Sequence, residues 1–183
     1  MPPKAINRRL VLDAAALRAK VAEADADEGA LDLRAAYAGA DLAAALVGAG
    51  RGLTALDVCS TKLGAEGMAS LSEALASGCC PVLASLNVGD NELTRFPEAL
   101  CAVASLEELV LSENDVDRLP WGLLHLTRLR KLYLRSNRRL PQEAELLGWS
   151  PTNIAALFGY LRDLQYAHHA IPTAACVPAG IPL

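Results

Sequence analysis

Aromatic rings are scarce in this chain: Phe, Tyr and Trp together make up 4 % of 183 residues, beside two Met and three His. A core built around large rings is therefore excluded. The 52 % of apolar residues is mostly Leu, Ala and Val, which suits a regular stack of thin layers. Long apolar runs are missing too, and none approaches the roughly 18 residues that a membrane span needs. Nor is there an excess of positive charge. Lys and Arg number 17 against 21 Asp and Glu, giving a net charge of −4 and a pI near 5.4. That balance speaks against a general attraction to nucleic acid or anionic membrane. No N-x-[ST] acceptor occurs, and the cysteines (Cys59, Cys79, Cys80, Cys101, Cys176) are odd in number. Both facts fit free thiols in a reducing interior better than a secreted disulfide framework.

Signatures of chemistry are equally thin. There is no G-x-S-x-G, H-E-x-x-H, C-x-x-C or P-loop. His168 and His169 are adjacent, so they do not share a helical face as a chelating i, i+4 pair does. Cys79-Cys80 stands before Pro81 with no further cysteine at ligand spacing, and reads as a loop between helix and strand. The expectation is a non-enzyme without cofactor or metal.

At the start, MPPKAINRRL carries cations without the apolar stretch of a secretory signal. The run RRLVLDAAALRAK is basic and amphipathic, as import leaders are, although Asp13 and EADADEGA work against that reading. Cytoplasmic residence is expected, with organelle import as the alternative. Leu10, Leu17 and Val21 keep helical spacing, and DADEG ends it at Gly29, so residues 1–29 read as a helical leader.

The rest of the chain repeats itself. LTALDVCSTKL, LASLNVGDNEL, LEELVLSENDV and LRKLYLRSNRR begin at Leu53, Leu83, Leu106 and Leu129, and a worn copy starts at LDLRAAYAGADLAAALVGAG. In L-x-L both side chains point to one side of an extended strand. A layer this thin cannot bury its own faces, so its neighbours must. An Asn then follows the strand in three copies, at Asn91, Asn114 and Asn137, with Thr61 in the fourth. An amide donates and accepts at once, so stacked Asn side chains can satisfy the backbone groups left inside the corner.

The phrase L-x-x-L-x-L-x-x-N-x-L resembles the leucine-rich repeat. LDVCSTKLGAEGMASLSEAL is similar to the ribonuclease-inhibitor class, and the 23-residue units, with LP after the turn, resemble the short intracellular class. The resemblance implies an α/β solenoid: a right-handed coil with a curved parallel sheet of about five strands inside and helices or extended segments on the convex side. Met68, Leu71 and Leu75 predict a helix stopping at Gly78, while TRFPEALCAVAS and DRLPWGLLHLTR predict one helical turn at most. Curvature is expected to be greater toward the amino-terminal end. The solenoid is expected over residues 30–150, followed by a capping helix over 151–170 and an irregular tail over 171–183. Ser150-Pro151 reads as the helix start, and Ile154, Leu157, Phe158, Leu161 and Leu164 as its apolar face. Trp149 is placed at the sealed end, and Trp121 over a neighbouring layer.

By alternation, the residues between and just after the strand leucines face the inside of the arc. The candidate partner-binding set is Asp57, Asn87, Asp90, Glu108, Val110, Glu113, Lys131, Tyr133 and Arg135. Its middle is acidic, and its last strand is basic with one ring. Tyr133 between Lys131 and Arg135 is the expected anchor, because Tyr and Arg dominate interface energetics. The function expected is binding of a protein partner by a monomer, as scaffold or regulatory subunit, without nucleic acid or membrane. The alternatives are an accessory to catalysis, as a GTPase activator or a ubiquitin-ligase recognition arm, or a folded chain without a binding role. A GTPase activator needs an Arg or Asn aimed at phosphate; Arg34, Arg51 and Lys62 are present, but no motif assigns them that task.

Overall fold

A computed structural model describes residues 12–27, 29–34, 36, 41–142, 144 and 154–170, with side chains of the last helix through residue 165. The central leucine of each repeat sits in a three-residue strand. These are β1 (Ala30–Asp32), β2 (Ala55–Asp57), β3 (Ser85–Asn87), β4 (Glu108–Val110) and β5 (Lys131–Tyr133). The strands are parallel and lie in sequence order, with Leu31, Leu56, Leu86, Leu109 and Leu132 in direct register. A second column follows two residues on, at Leu33, Val58, Val88, Leu111 and Leu134, and both columns are buried. Fully burying one such side chain contributes roughly 1.5–3 kcal/mol, so the stacked columns hold the layers together.

The return segments follow the local sequence. Where the repeat is long and free of Pro, a helix forms: α2 (Asp41–Ala49) and α3 (Gly64–Ala76). α3 turns Met68, Leu71 and Leu75 inward, and the chain leaves it through Gly78 at φ +83. Where a Pro intervenes, the return shrinks to a 3-10 segment. Pro97 precedes Glu98–Ala102 and Pro120 precedes Trp121–His125, each burying one leucine, Leu100 or Leu123. The helix α2 was not legible in the repeat pattern. Its run DLAAALVGA is apolar nearly all round, so periodicity is weak, and Leu42, Ala45 and Leu46 are buried while Val47 is exposed.

At the leading end, α1 (Ala14–Ala26) is capped by Asp13, whose Oδ1 accepts from the Ala16 N–H at 2.7 Å, and it buries Leu17 and Val21. Gly29 then turns the chain at φ +70. Its carbonyl accepts from the N–H groups of both Thr54 and Ala55, tying the turn before β1 to the start of β2. A Cβ on Gly29 would fall 2.6 Å from the Gly52 carbonyl oxygen, so no other residue fits. At the far end, α4 (Ile154–Ala170) packs beside the second 3-10 segment. Leu157 and Leu161 are buried and Ile154 and Phe158 partly so, but Leu164 is 43 % exposed. The apolar face thus outruns the core by a turn. The expected helix start at Ser150-Pro151, Trp149 and the tail lie outside the described residues.

Candidate functional site

The inner face is held in place from below by a column of amides. Asn114 Oδ1 accepts from the N–H groups of Asn91 (3.1 Å) and Leu93 (3.0 Å). Its Nδ2 donates to the carbonyls of Val88, Leu111 and Ser112. Asn91 repeats the pattern toward Leu63 N–H and the Val58 carbonyl, and Asn137 toward Val116 N–H and the Leu111 carbonyl. All three side chains are buried. The ladder expected from the sequence is therefore present. Thr61 ends it, with one hydroxyl proton between the Val58 carbonyl (2.7 Å) and Asn91 Oδ1 (3.1 Å). It suffices because the preceding layer has Ala36 at this place, and Ala36 N–H donates to Leu33 within its own layer.

Just before each inward residue the backbone passes through a left-handed conformation: Ser60, Asp90, Glu113 and Ser136 have φ of 57, 50, 58 and 64. Asp is among the residues that enter this region most readily, and it stands at one of the four places. The repeated turn puts these four residues in one rim row. Ser60 Oγ donates to Asp90 Oδ2 along that row, at 2.6 Å.

Strand register sorts the remaining face into rows. One runs Ala30, Ala55, Ser85, Glu108, Lys131, and the next runs Asp32, Asp57, Asn87, Val110, Tyr133. The early strands carry small residues in the first row, leaving a shallow hollow of about 180 Å³ beside Asp32, Asp57 and Asn87. In the later strands Lys131 Nζ lies 3.0 Å from Glu108 Oε2, and Val110 is the register neighbour of Tyr133. The hydrogen bond that Lys131 Nζ donates to Glu108 holds the ammonium above its ordinary pKa. Arg135 and Glu113 are exposed on the adjoining turns. All nine candidate residues thus lie on the strands or the turns that leave them, but they fall into two groups.

The amino-terminal group is occupied with its own backbone. Asp57 Oδ1 accepts from Cys59 N–H at 2.9 Å, and Asn87 Oδ1 from Gly89 N–H at 3.0 Å. Asn87 Nδ2 also donates to Asp57 Oδ2 at 3.0 Å. Asp32 makes the same turn with Arg34 N–H and receives the Arg34 guanidinium, Nη2 to Oδ2 at 2.5 Å. Arg34 Nε is 3.8 Å from Asp57 Oδ2, so the chain of contacts runs across three strands. The Arg34 side chain, then its N–H, holds the Asp32 carboxyl below the ordinary carboxylate range. An Asp or Asn after the central leucine in LDL, LDV and LNV was the signal for this arrangement. Val110 and Tyr133 break it, so the carboxy-terminal strands of the same face lack this turn-closing side chain.

Among the described residues no cluster of three or more His, Cys, Asp or Glu is placed to hold a metal. No helix among them is long and apolar enough to cross a membrane.

Residues 81–138 match a family model described as "Leucine rich repeat". The chain is 33 % identical over 102 residues to mouse "Podocan-like protein 1", covering 55 % of this chain and 16 % of that protein. It is 41 % identical over 63 residues to "Disease resistance protein RFL1" of Arabidopsis thaliana, covering 34 % of this chain and 7 % of that one. The matched region is a small part of either relative.

Proposed function

With the chain identified as a leucine-rich-repeat protein, we propose that it is a non-catalytic binding module that takes a segment of a protein partner on the concave sheet face. The observation that carries this reading is the group on β4, β5 and their turns, where Glu113, Lys131 and Arg135 are exposed and Glu108, Val110 and Tyr133 half-buried. Tyr133 lies next to Val110, with Lys131 and Arg135 on its own repeat and Glu108 and Glu113 on the one before. A ring beside an aliphatic side chain offers a small apolar anchor, and Tyr and Arg are among the residues that contribute most to interfaces. The surrounding charges set encounter rate and discrimination between partners. A segment with an acidic residue against Lys131 and Arg135, and a basic one against Glu108 and Glu113, complements the charges along this face. As scaffold or regulatory subunit in the cytoplasm, such a chain needs no chemistry of its own.

The test is Lys131→Glu with Arg135→Glu. Proteins captured by the native chain are identified by mass spectrometry, and their affinities for both forms measured. Captured partners should be lost from the variant while its circular dichroism stays native. Unchanged partners and affinities, with a native spectrum, would overturn the assignment of the face. The GTPase-activator reading gains little from Arg34, whose guanidinium is already forked on Asp32.

A further inference from the structure

The turn from α3 into β3 brings two sulfur atoms together. Cys79 and Cys80 follow Gly78 and precede Pro81, and their Sγ atoms are 3.6 Å apart as free thiols. Their surroundings differ sharply. Cys80 is 1 % exposed, and its Sγ lies so close to Gly50 that a Cβ there would stand 2.8 Å from it. Cys79 is half-buried and reachable from solvent. Burial first, then Cys79 and Asp25 of α1, push the Cys80 thiol far above its ordinary range. Since the thiolate is the nucleophile, Cys79 attacks first and Cys80 is positioned to resolve. Cys59 and Cys101 have no such arrangement: Cys59 Sγ contacts Ser60 Oγ, and Cys101 packs against Gly122.

We propose that Cys79 and Cys80 form a reversible thiol-modification site, oxidised to a vicinal disulfide by a low-molecular-weight disulfide of the glutathione class. The Cys79 thiolate attacks one sulfur of glutathione disulfide, whose S–S bond breaks and releases one glutathione thiolate. A mixed disulfide remains on Cys79. Cys80 then gives up its proton, which the released thiolate takes, and attacks the Cys79 sulfur. The bond from Cys79 to glutathione breaks, and the second glutathione leaves. Two protein thiols are oxidised and one disulfide is reduced to two glutathione thiols.

Neighbouring residues bring their Cα atoms within about 3.8 Å, closer than the roughly 4.4–6.8 Å of ordinary disulfides. The bond is therefore strained, and strained disulfides are the easily reduced, labile ones. Such a pair responds to the thiol balance rather than bracing the fold.

In the test, the reduced full-length chain is incubated with glutathione disulfide and quenched in acid. Remaining thiols are alkylated and the peptides mapped by mass spectrometry. The peptide holding Cys79 and Cys80 should be unalkylated, free of glutathione and restored by dithiothreitol. Cys80→Ala, with a native circular dichroism spectrum, should stop at glutathione on Cys79. The native chain's own peptide decides the matter if that variant does not fold. Free thiols at both positions while Cys59 or Cys101 becomes modified would overturn the proposal, as would a native chain that stops at the Cys79 adduct.

Discussion

Replacing Asn114 by Ala tests whether the amide column works as counted bond by bond. The carbonyls it serves all keep another donor: Val88 from Asn91 Nδ2, Leu111 from Asn137 Nδ2, and Ser112 from the Asp90 N–H. The N–H groups of Asn91 and Leu93 lose their acceptor, since their bonds are to Asn114 Oδ1. Two buried donors are thus stranded, each costing about 1–3 kcal/mol. Asn114 is 6 % exposed, so water entering its place brings the sum to about 2–4 kcal/mol. With an m-value of about 2 kcal/mol per molar urea, the midpoint of unfolding should fall by about 1–2 M. The same count for Asn91→Ala strands only the Leu63 N–H, which predicts about 1–3 kcal/mol. Urea titrations followed by circular dichroism compare the two. A loss below about 0.5 kcal/mol for Asn114→Ala, or a larger loss for Asn91→Ala, would refute the reasoning.

Three other outcomes are expected. Gly29→Ala should destabilise by more than about 2 kcal/mol, because a left-handed φ costs about 1–2 kcal/mol before the collision with the Gly52 carbonyl; thermal unfolding measures it. Leu86→Ala, in the middle of the buried column, should cost about 2–5 kcal/mol in denaturant titration. The Asp32 carboxyl should titrate below the ordinary value of about 3.9, and Arg34→Gln should raise its midpoint, both read by NMR. Because its folded pKa is depressed, its contribution to stability is present above the unfolded value and is lost as pH falls through the folded one.

The strands and the amide column were legible because identical layers write the same phrase several times. Spacing in L-x-L assigns the faces, and Asn at one place in three copies announces a shared corner. Helix α2 was hidden because alanines on every side erase the contrast between buried and exposed faces. Leu164 was misplaced for the converse reason: helical spacing marks an apolar stripe but does not say where the neighbouring layer ends. On the inner face, alternation identified which residues point inward but not what they hold. Asp57 and Asn87 look alike in sequence to any solvated polar pair, yet both close their own turns. That difference depends on the chain's path two residues later. The adjacency of Lys131 and Glu108 depends in turn on strand register, which the 23-residue spacing of Leu109 and Leu132 did imply.

The amide column also has a direction. Every interlayer bond made by the side chains of Asn91, Asn114 and Asn137 reaches back to the repeat before it. As the chain leaves the ribosome, the inner corner of each repeat therefore stays open to water until the following Asn emerges. Leu93 waits for residue 114, and Val116 for residue 137. A chain ending after any one of these repeats would therefore leave N–H groups of its last inner corner without the amide that accepts from them.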